Sequence, residues 1–358
     1  MKSLPRYLIY LFSILSAVAA CWYFLPATIR YHLTERYTFT GGPSDGEVFL
    51  SVMVPRTGPY QKIEHLKFIW KGGINTEKHT ALDVLQMAGS LPASDIREAV
   101  ITYDVTLWQG AARWQAPVED LQLQPQDQIE SDNSILAAQA QQLVQDSTRR
   151  DAMRLFDFTA GYLSWPQGER IGGDQSALAA YQSRIGGCGE FANLLTALCR
   201  ASGIPVQSVS GLAFPAYPPL WKTSTSWGHP AGSHAWVEVN SEAGWELADP
   251  SWASNSLIKT RWFGYNDGSH LSYGEIGEHD RINDKIQTWA EERGQLIGAM
   301  SAPLKFAASA SSDQITILST VTVQKGWDGR WVNSLLIYLM GMVFIRVVEK
   351  HIRQANRT

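Results

Sequence analysis

Three residues of the 358-residue chain carry side chains that together could break an amide bond: Cys188, His234 and Asp249. In such chemistry a thiolate attacks the carbonyl carbon, an imidazole moves the proton, and a carboxylate holds the imidazole in the right tautomer. Gly186 and Gly187 precede the cysteine, and the run from Glu190 to Ala201 is rich in helix formers. A helix is therefore predicted to start at Cys188. It stops at Gly203-Ile204-Pro205, because glycine suits the position after a helix and proline cannot continue one. At the helix N-terminus the dipole and the free N–H groups favour a thiolate over a thiol. The same N–H groups can receive an oxyanion.

The imidazole and the carboxylate need a rigid frame of their own. His234-Ala235-Trp236-Val237-Glu238-Val239 alternates as a strand, with His234, Trp236 and Glu238 on one face. Glu242-Ala243-Gly244 reads as a turn and Trp245 to Asp249 as the returning strand, which brings Asp249 opposite or nearly opposite His234. His229 also lies close to His234, but Pro230 and Gly232 intervene and no further Cys or carboxylate spacing completes a metal site. No metal and no cofactor is expected. Tyr181, Trp165 and Trp227 read as core aromatics, with lining of the cleft or donation to an oxyanion as the alternative. The chain has 3 cysteines, Cys21, Cys188 and Cys199, too few for a disulfide framework. Cys188 and Cys199 on one helix would stand about 16 Å apart, beyond bridging, so Cys199 is expected in the core.

Taken together, Gly187-Cys188-Gly189-Glu190-Phe191-Ala192, the Leu198 to Pro205 segment, His234 to Val239 and Asp249-Pro250 resemble the core of the transglutaminase-like superfamily, in its bacterial branch. The resemblance covers residues 131 to 252. It implies an α+β, papain-like core, a helix bearing the cysteine packed on an antiparallel sheet bearing the histidine and the aspartate. It also implies Cys188 as nucleophile, His234 as base and later acid, and Asp249 as the group that orients it. The superfamily spans transamidases, peptidases, amidases and inactive members, so the reaction stays open.

Around this core, residues 38–124 read as a small β-rich domain, with strands at 48–54, 65–70 and 99–108. Residues 121–130 are a polar connector, and helices are expected at 134–146, from 148, and at 174–183. The core with its C-terminal extension is placed at 131–325, including a helix near 282–293 and a strand at 314–324. A hydrophobic content of 45% with 14 Trp, 13 Tyr and 12 Phe suits packed domains. The net charge of -4, without a concentrated basic face, argues against a nucleic-acid partner.

Both ends of the chain point to a lipid bilayer. Tyr7 to Leu25 holds no charged residue and is long enough to cross most of a bilayer core. It reads as an uncleaved anchor at 7–25 rather than a signal peptide cut after Ala19 or a lipoprotein signal ending at Cys21, because the apolar run continues through Trp22-Tyr23-Phe24-Leu25. A second span is expected at 331–348, with Arg346 reaching the interface, and core or amphipathic packing as its alternative. Residues 1–6 and the basic tail 349–358 then lie in the cytoplasm, since Lys2, Arg6, Arg346, Lys350, Arg353 and Arg357 flank the outer ends. Two classes of function follow. One is a membrane-anchored thiol enzyme acting outside the cytoplasm on peptide, protein or cell-wall amides. The other is a non-catalytic peptide-binding module, using the same cleft within an envelope complex of membrane proteins.

Overall fold

The computed structural model describes residues 10, 13–18, 25–71, 76–79, 84–146, 149–166, 176–214, 223–226, 233–275, 287–300, 306–312 and 314–355. Seven strands come first: β1 (Ala27–Thr40), β2 (Gly46–Met53), β3 (Gln61–Lys71), β4 (Thr76–His79), β5 (Val84–Leu91), β6 (Ile96–Ala111) and β7 (Arg113–Trp114). Four helices follow, α1 (Ser134–Leu143), α2 (Arg149–Tyr162), α3 (Ala177–Ser183) and α4 (Cys188–Ala201). The chain continues with β8 (Val206–Ala213), β9 (Thr223–Ser226), β10 (Ser233–Ser241), β11 (Gly244–Ala248) and α5 (Pro250–Ser254). It closes with β12 (Tyr265–Asp267), β13 (His270–Glu275), β14 (Gln295–Met300), β15 (Phe306–Ala310), β16 (Thr316–Asp328) and α6 (Arg330–Ala355).

Strand β1 alternates strictly, with Ile29, Tyr31, Leu33, Glu35, Tyr37 and Phe39 buried and the residues between them facing outward or half-covered. It lies inside the first sheet, of order β12-β6-β1-β16-β9 with β3 also on β6. A third sheet, β14-β15-β2-β5-β4, faces it, and Leu33 and Phe39 share one core with Leu50, Val52 and Phe306. The β-rich part thus draws on both ends of the chain. The second sheet, β13-β8-β10-β11-β7, supports the candidate site. Helix α4 lays Phe191, Leu195 and Leu198 against Ala235, Val237 and Val239 of β10. Its last turn is pinned by Arg200, which is buried and donates to the Val206 and Gln124 carbonyls.

The first and second sheets meet through buried polar groups. Tyr60 donates to Glu238 at 2.6 Å, and Gln61 exchanges hydrogen bonds with both the N–H and the carbonyl of Ser272. Glu35 accepts from Tyr103 at 2.6 Å, Tyr37 at 3.1 Å and Tyr273 of β13 at 3.3 Å. Burial pushes its carboxyl up to about 7, against the opposing pull of those three phenols. The folded chain therefore keeps this proton up to about pH 7, whereas the unfolded chain loses it near the ordinary value. Stability must fall as pH rises between those two values, by roughly 3 kcal/mol from this group. Glu35→Gln should flatten that part of the pH dependence, leaving a smaller difference between urea midpoints at about pH 4.5 and about pH 8 than in the parent.

Among the described residues one helix is long and apolar enough to cross a membrane, Arg330–Val347 within α6, and 11% of it is buried. Of the other expected span, 7–25, the described residues 10 and 13–18 are helical, Leu25 lies in a bend before β1, and the rest lies outside the described residues. Ile14 of that segment packs against Gly341 of α6, where a Cβ would crowd it. The ends that lead to these two segments are neighbours, because β1 and β16 pair antiparallel with Ile29 facing Asp328. Gly329 joins β16 to α6 and donates to the Thr28 carbonyl, while Asn333 donates to that of Pro26.

Candidate active site

Cys188 is the first residue of α4 and is half-buried. Gly187 caps the helix, and its N–H donates to Glu190 Oε2 at 2.8 Å. A Cβ at Gly186 would run into Glu190, so this tight entry requires a glycine there. The thiol thus sits where the N–H groups of the first turn and the positive end of the helix converge.

His234 lies on β10 opposite Gly211 of β8, and its ring is almost wholly buried. Gly211 has no room for a side chain: a Cβ would meet the Leu271 carbonyl and the Trp236 ring. His234 Nε2 bonds Asp249 Oδ2 at 2.8 Å, which leaves Nδ1 for the thiol. The Trp252 ring lies 5.0 Å from the imidazole and covers one side of it.

Asp249 departs from the expected hairpin. Val237 pairs with Ala248, so Asp249 falls one residue past β11 and reaches His234 diagonally. Pro250 turns the chain into α5, and Asp249 becomes its N-cap, with Oδ1 accepting from the N–H groups of Ser251 and Trp252 at 3.0 Å and from Ser251 Oγ at 2.7 Å. Every lone pair it offers is engaged. Burial alone would raise this carboxyl, but His234 and His270 outweigh it and hold the group well below the usual carboxylate range. His234 shows the converse: burial works against its charge, and Asp249, followed by Cys188, pushes it up to about 10.

His270, at the start of β13, was not among the expected site residues. Its Nε2 bonds the same Asp249 Oδ2 at 3.1 Å, and its Nδ1 faces Ser269 Oγ at 3.2 Å and Asp267 Oδ1 at 3.4 Å. Burial lowers its pKa, the hydrogen bonds to Asp249 and Asp267 raise it, and the net shift is upward. Trp236, Trp252 and Trp262 surround the ring at 4.8–6.3 Å between centroids. In the sequence nothing local marks it, since it follows a plain Asp267-Gly268-Ser269 turn. Ligand atoms of His234, Asp249 and His270 lie within 4.8 Å of one another, a spacing that would suit a cation. The contacts of 2.8 and 3.1 Å are hydrogen-bond lengths, so a zinc ion at about 2.0–2.2 Å from each ligand would have to displace both shared protons.

The remaining candidates separate clearly. Trp165 is partly exposed beside the cysteine helix, packs on Phe191, and donates its N–H to Ser251 and Ser254, tying that helix to α5. Tyr181 stacks on Tyr162 and donates to Gln139. Cys199 is fully buried and its thiol is pushed up by burial, as a core cysteine should be. Trp227 and His229 lie outside the described residues.

Residues 136–250, which hold the cysteine helix, the histidine strand and the aspartate cap, match the transglutaminase-like superfamily profile. This core belongs to the transglutaminase-like superfamily. Solved structures resemble the chain at low identity. A protein from Cytophaga hutchinsonii, named a candidate cysteine protease, is 14% identical with a TM-score of 0.47, over 84% of this chain and 100% of that one. A protein from Parabacteroides distasonis, named a candidate protease, is 16% identical with a TM-score of 0.26, over 63% of this chain and 43% of that one. A TGase structure is 14% identical with a TM-score of 0.24, over 42% and 41%. No curated protein matches the sequence. Outside residues 136–250, β13 extends the second sheet through β8 and brings His270 to the site, while Asp267 reaches it from the end of β12 in the first sheet.

Proposed function

We propose that this transglutaminase-like protein is a membrane-anchored thiol enzyme that cleaves or transfers peptide acyl groups outside the cytoplasm, with Cys188, His234 and Asp249 as its working residues. The observation that carries the reading is the placement of His234. Asp249 holds its Nε2 at 2.8 Å, and Cys188 at a helix N-terminus acts on the same ring. The proton shared by Cys188 and His234 lies on the imidazole, and the sulfur bonds to the carbonyl carbon while the first-turn N–H groups hold the oxyanion. The tetrahedral adduct collapses, the C–N bond breaks, and the amine leaves with the proton from the imidazolium. Water, or a second amine, then gives a proton to His234 and bonds to the acyl carbon, and the C–S bond breaks to return the Cys188 sulfur beside the imidazolium. Asp249 stays ionised throughout and keeps the ring in register.

Anchoring is supported by the exposed apolar surface of α6 and by the adjacency of β1 and β16, which sends the two apolar segments away from the same end of the first sheet. The Lys/Arg bias of the outer flanks puts both termini in the cytoplasm. The proposal is tested by alkylation with iodoacetamide at neutral pH, read on the Cys188 peptide by mass spectrometry. Cys188 should react at least about tenfold faster than an unactivated thiol, and an envelope extract should leave a thioester on it. A rate equal to that of a free cysteine would favour the peptide-binding module instead.

A further inference from the structure

The candidate site stands beside the point where the chain would enter the membrane. Three strands lie abreast there, with Ala27 of β1 paired to Gln109 of β6 and Gln109 paired to Asp267 of β12. Ala27 adjoins Thr28, whose carbonyl takes the N–H of Gly329, the residue before α6. Asp267 faces His270, His270 shares Asp249 with His234, and Tyr31 of β1 donates to the carbonyl of Gly268 at 3.1 Å. Two strand spacings of about 4.8 Å separate Asp267 from β1, so the site is offset sideways from α6 by roughly 10–20 Å and is level with its first turn to within a few residues.

The surface at that end has the character of a headgroup contact. Trp327 and Trp331 flank the junction at 55% and 59% exposure, and Trp108 of β6 is exposed nearby. Tryptophan is the side chain favoured at the membrane–water boundary, with its ring apolar and its N–H wet. The single residue Gly329 leaves no linker on which the domain could stand off from the bilayer.

We infer that the site takes its acyl donor at the bilayer surface, a peptide amide carried by a molecule itself held in the membrane and presented close to the headgroups. This rests on the thiol-enzyme and anchoring readings above. A peptide diffusing freely in solution would not need a site so close to the membrane entry. A lipid-linked peptide and the flank of a membrane-spanning protein offer the same chemistry.

The test uses the full chain reconstituted in vesicles of phosphatidylethanolamine and phosphatidylglycerol, with a chloroacetamide as probe; the thiolate bonds to its carbon and chloride leaves. The probe is carried on a lipid headgroup through linkers reaching about 15 Å or about 60 Å, on the end of a single-span peptide, or free in solution. Alkylation is read on the Cys188 peptide, so that Cys21 and Cys199 do not contribute. The short lipid-borne probe should label Cys188 at least about tenfold faster than the free probe at equal total amount, through its raised local concentration. Labelling by the span-borne probe and not the lipid-borne one would assign the donor to membrane proteins, and the reverse to lipid-linked peptides. Labelling that needs the long linker, in a chain that floats with its vesicles and reacts with free iodoacetamide, overturns this inference alone. A chain that does not float overturns the anchor, and a Cys188 inert to free iodoacetamide overturns the enzyme; either removes this inference as well.

Discussion

Asp249→Ala is expected to destabilise the fold by about 3–5 kcal/mol and to silence the thiol with it. The carboxylate is fully buried and serves two N–H groups, one hydroxyl and two imidazoles. Alanine leaves those buried donors without their partner. The folded pKa of Asp249 is depressed, so its contribution to stability is complete above the ordinary aspartate value and is lost as pH falls through the folded one. The gap between variant and parent should therefore be widest near neutrality and shrink in strong acid, where the parent carboxylate also takes up a proton. Urea midpoints across that range measure it. Asp249→Asn, which keeps the shape, should lose less stability while still slowing alkylation of Cys188. An Asn variant that reacts like the parent would show that the charge does not matter.

In the proposed mechanism the imidazole carries the proton in both halves of the reaction, so His234→Ala should cut turnover by about two to four orders of magnitude, measured under conditions where circular dichroism shows the variant still folded. The parent should show its own pH signature. The raised pKa keeps the imidazolium until about pH 10, so the general acid that protonates the leaving amine is lost only on the alkaline side of that value. The stabilising contribution of the His234–Asp249 pair runs the same way, present below the ordinary imidazole value and lost as pH rises through about 10. Asp249→Asn removes the leading cause of the upward shift, so the alkaline limb of the rate profile should move to lower pH. An alkaline limb that stays in place in the Asn variant would mean that another group sets it.

The parts of this site that could be read from the sequence are those with local rules. Gly186-Gly187 before a helical run, with Gly203 and Pro205 after it, placed Cys188 at a helix start. Period-two alternation placed His234 on a strand. Asp249 reads from the sequence as a strand end and is an N-cap in the fold, since Asp-Pro suits equally a strand end and an N-cap followed by a first helical proline. His270 escaped because its role depends on β13 pairing with β8, a contact between segments far apart in the chain. Strand β1 also went unread, although Ile29, Tyr31, Leu33, Tyr37 and Phe39 alternate cleanly; it directly follows an apolar run that dominates any local pattern. The buried Glu35 in the middle of that alternation makes sense only beside Tyr103 and Tyr273, which sequence spacing cannot place.

The pairing of β1 with β16 also sets a schedule for biosynthesis. Thr40 pairs with Thr316 and Ile29 with Asp328, so the strand that leaves the ribosome first beside the N-terminal segment waits for almost the last one. Until then β1 can pair with β6, but its other edge stays open and Val321 and Val323 are missing from the core. Pairings between distant segments form slowly and late. The nascent chain therefore carries a thiol, an imidazole and a carboxylate out of the ribosome well before the sheet that steadies β13 is complete, and chains stopped short of β16 should present an open strand edge to proteases and to one another.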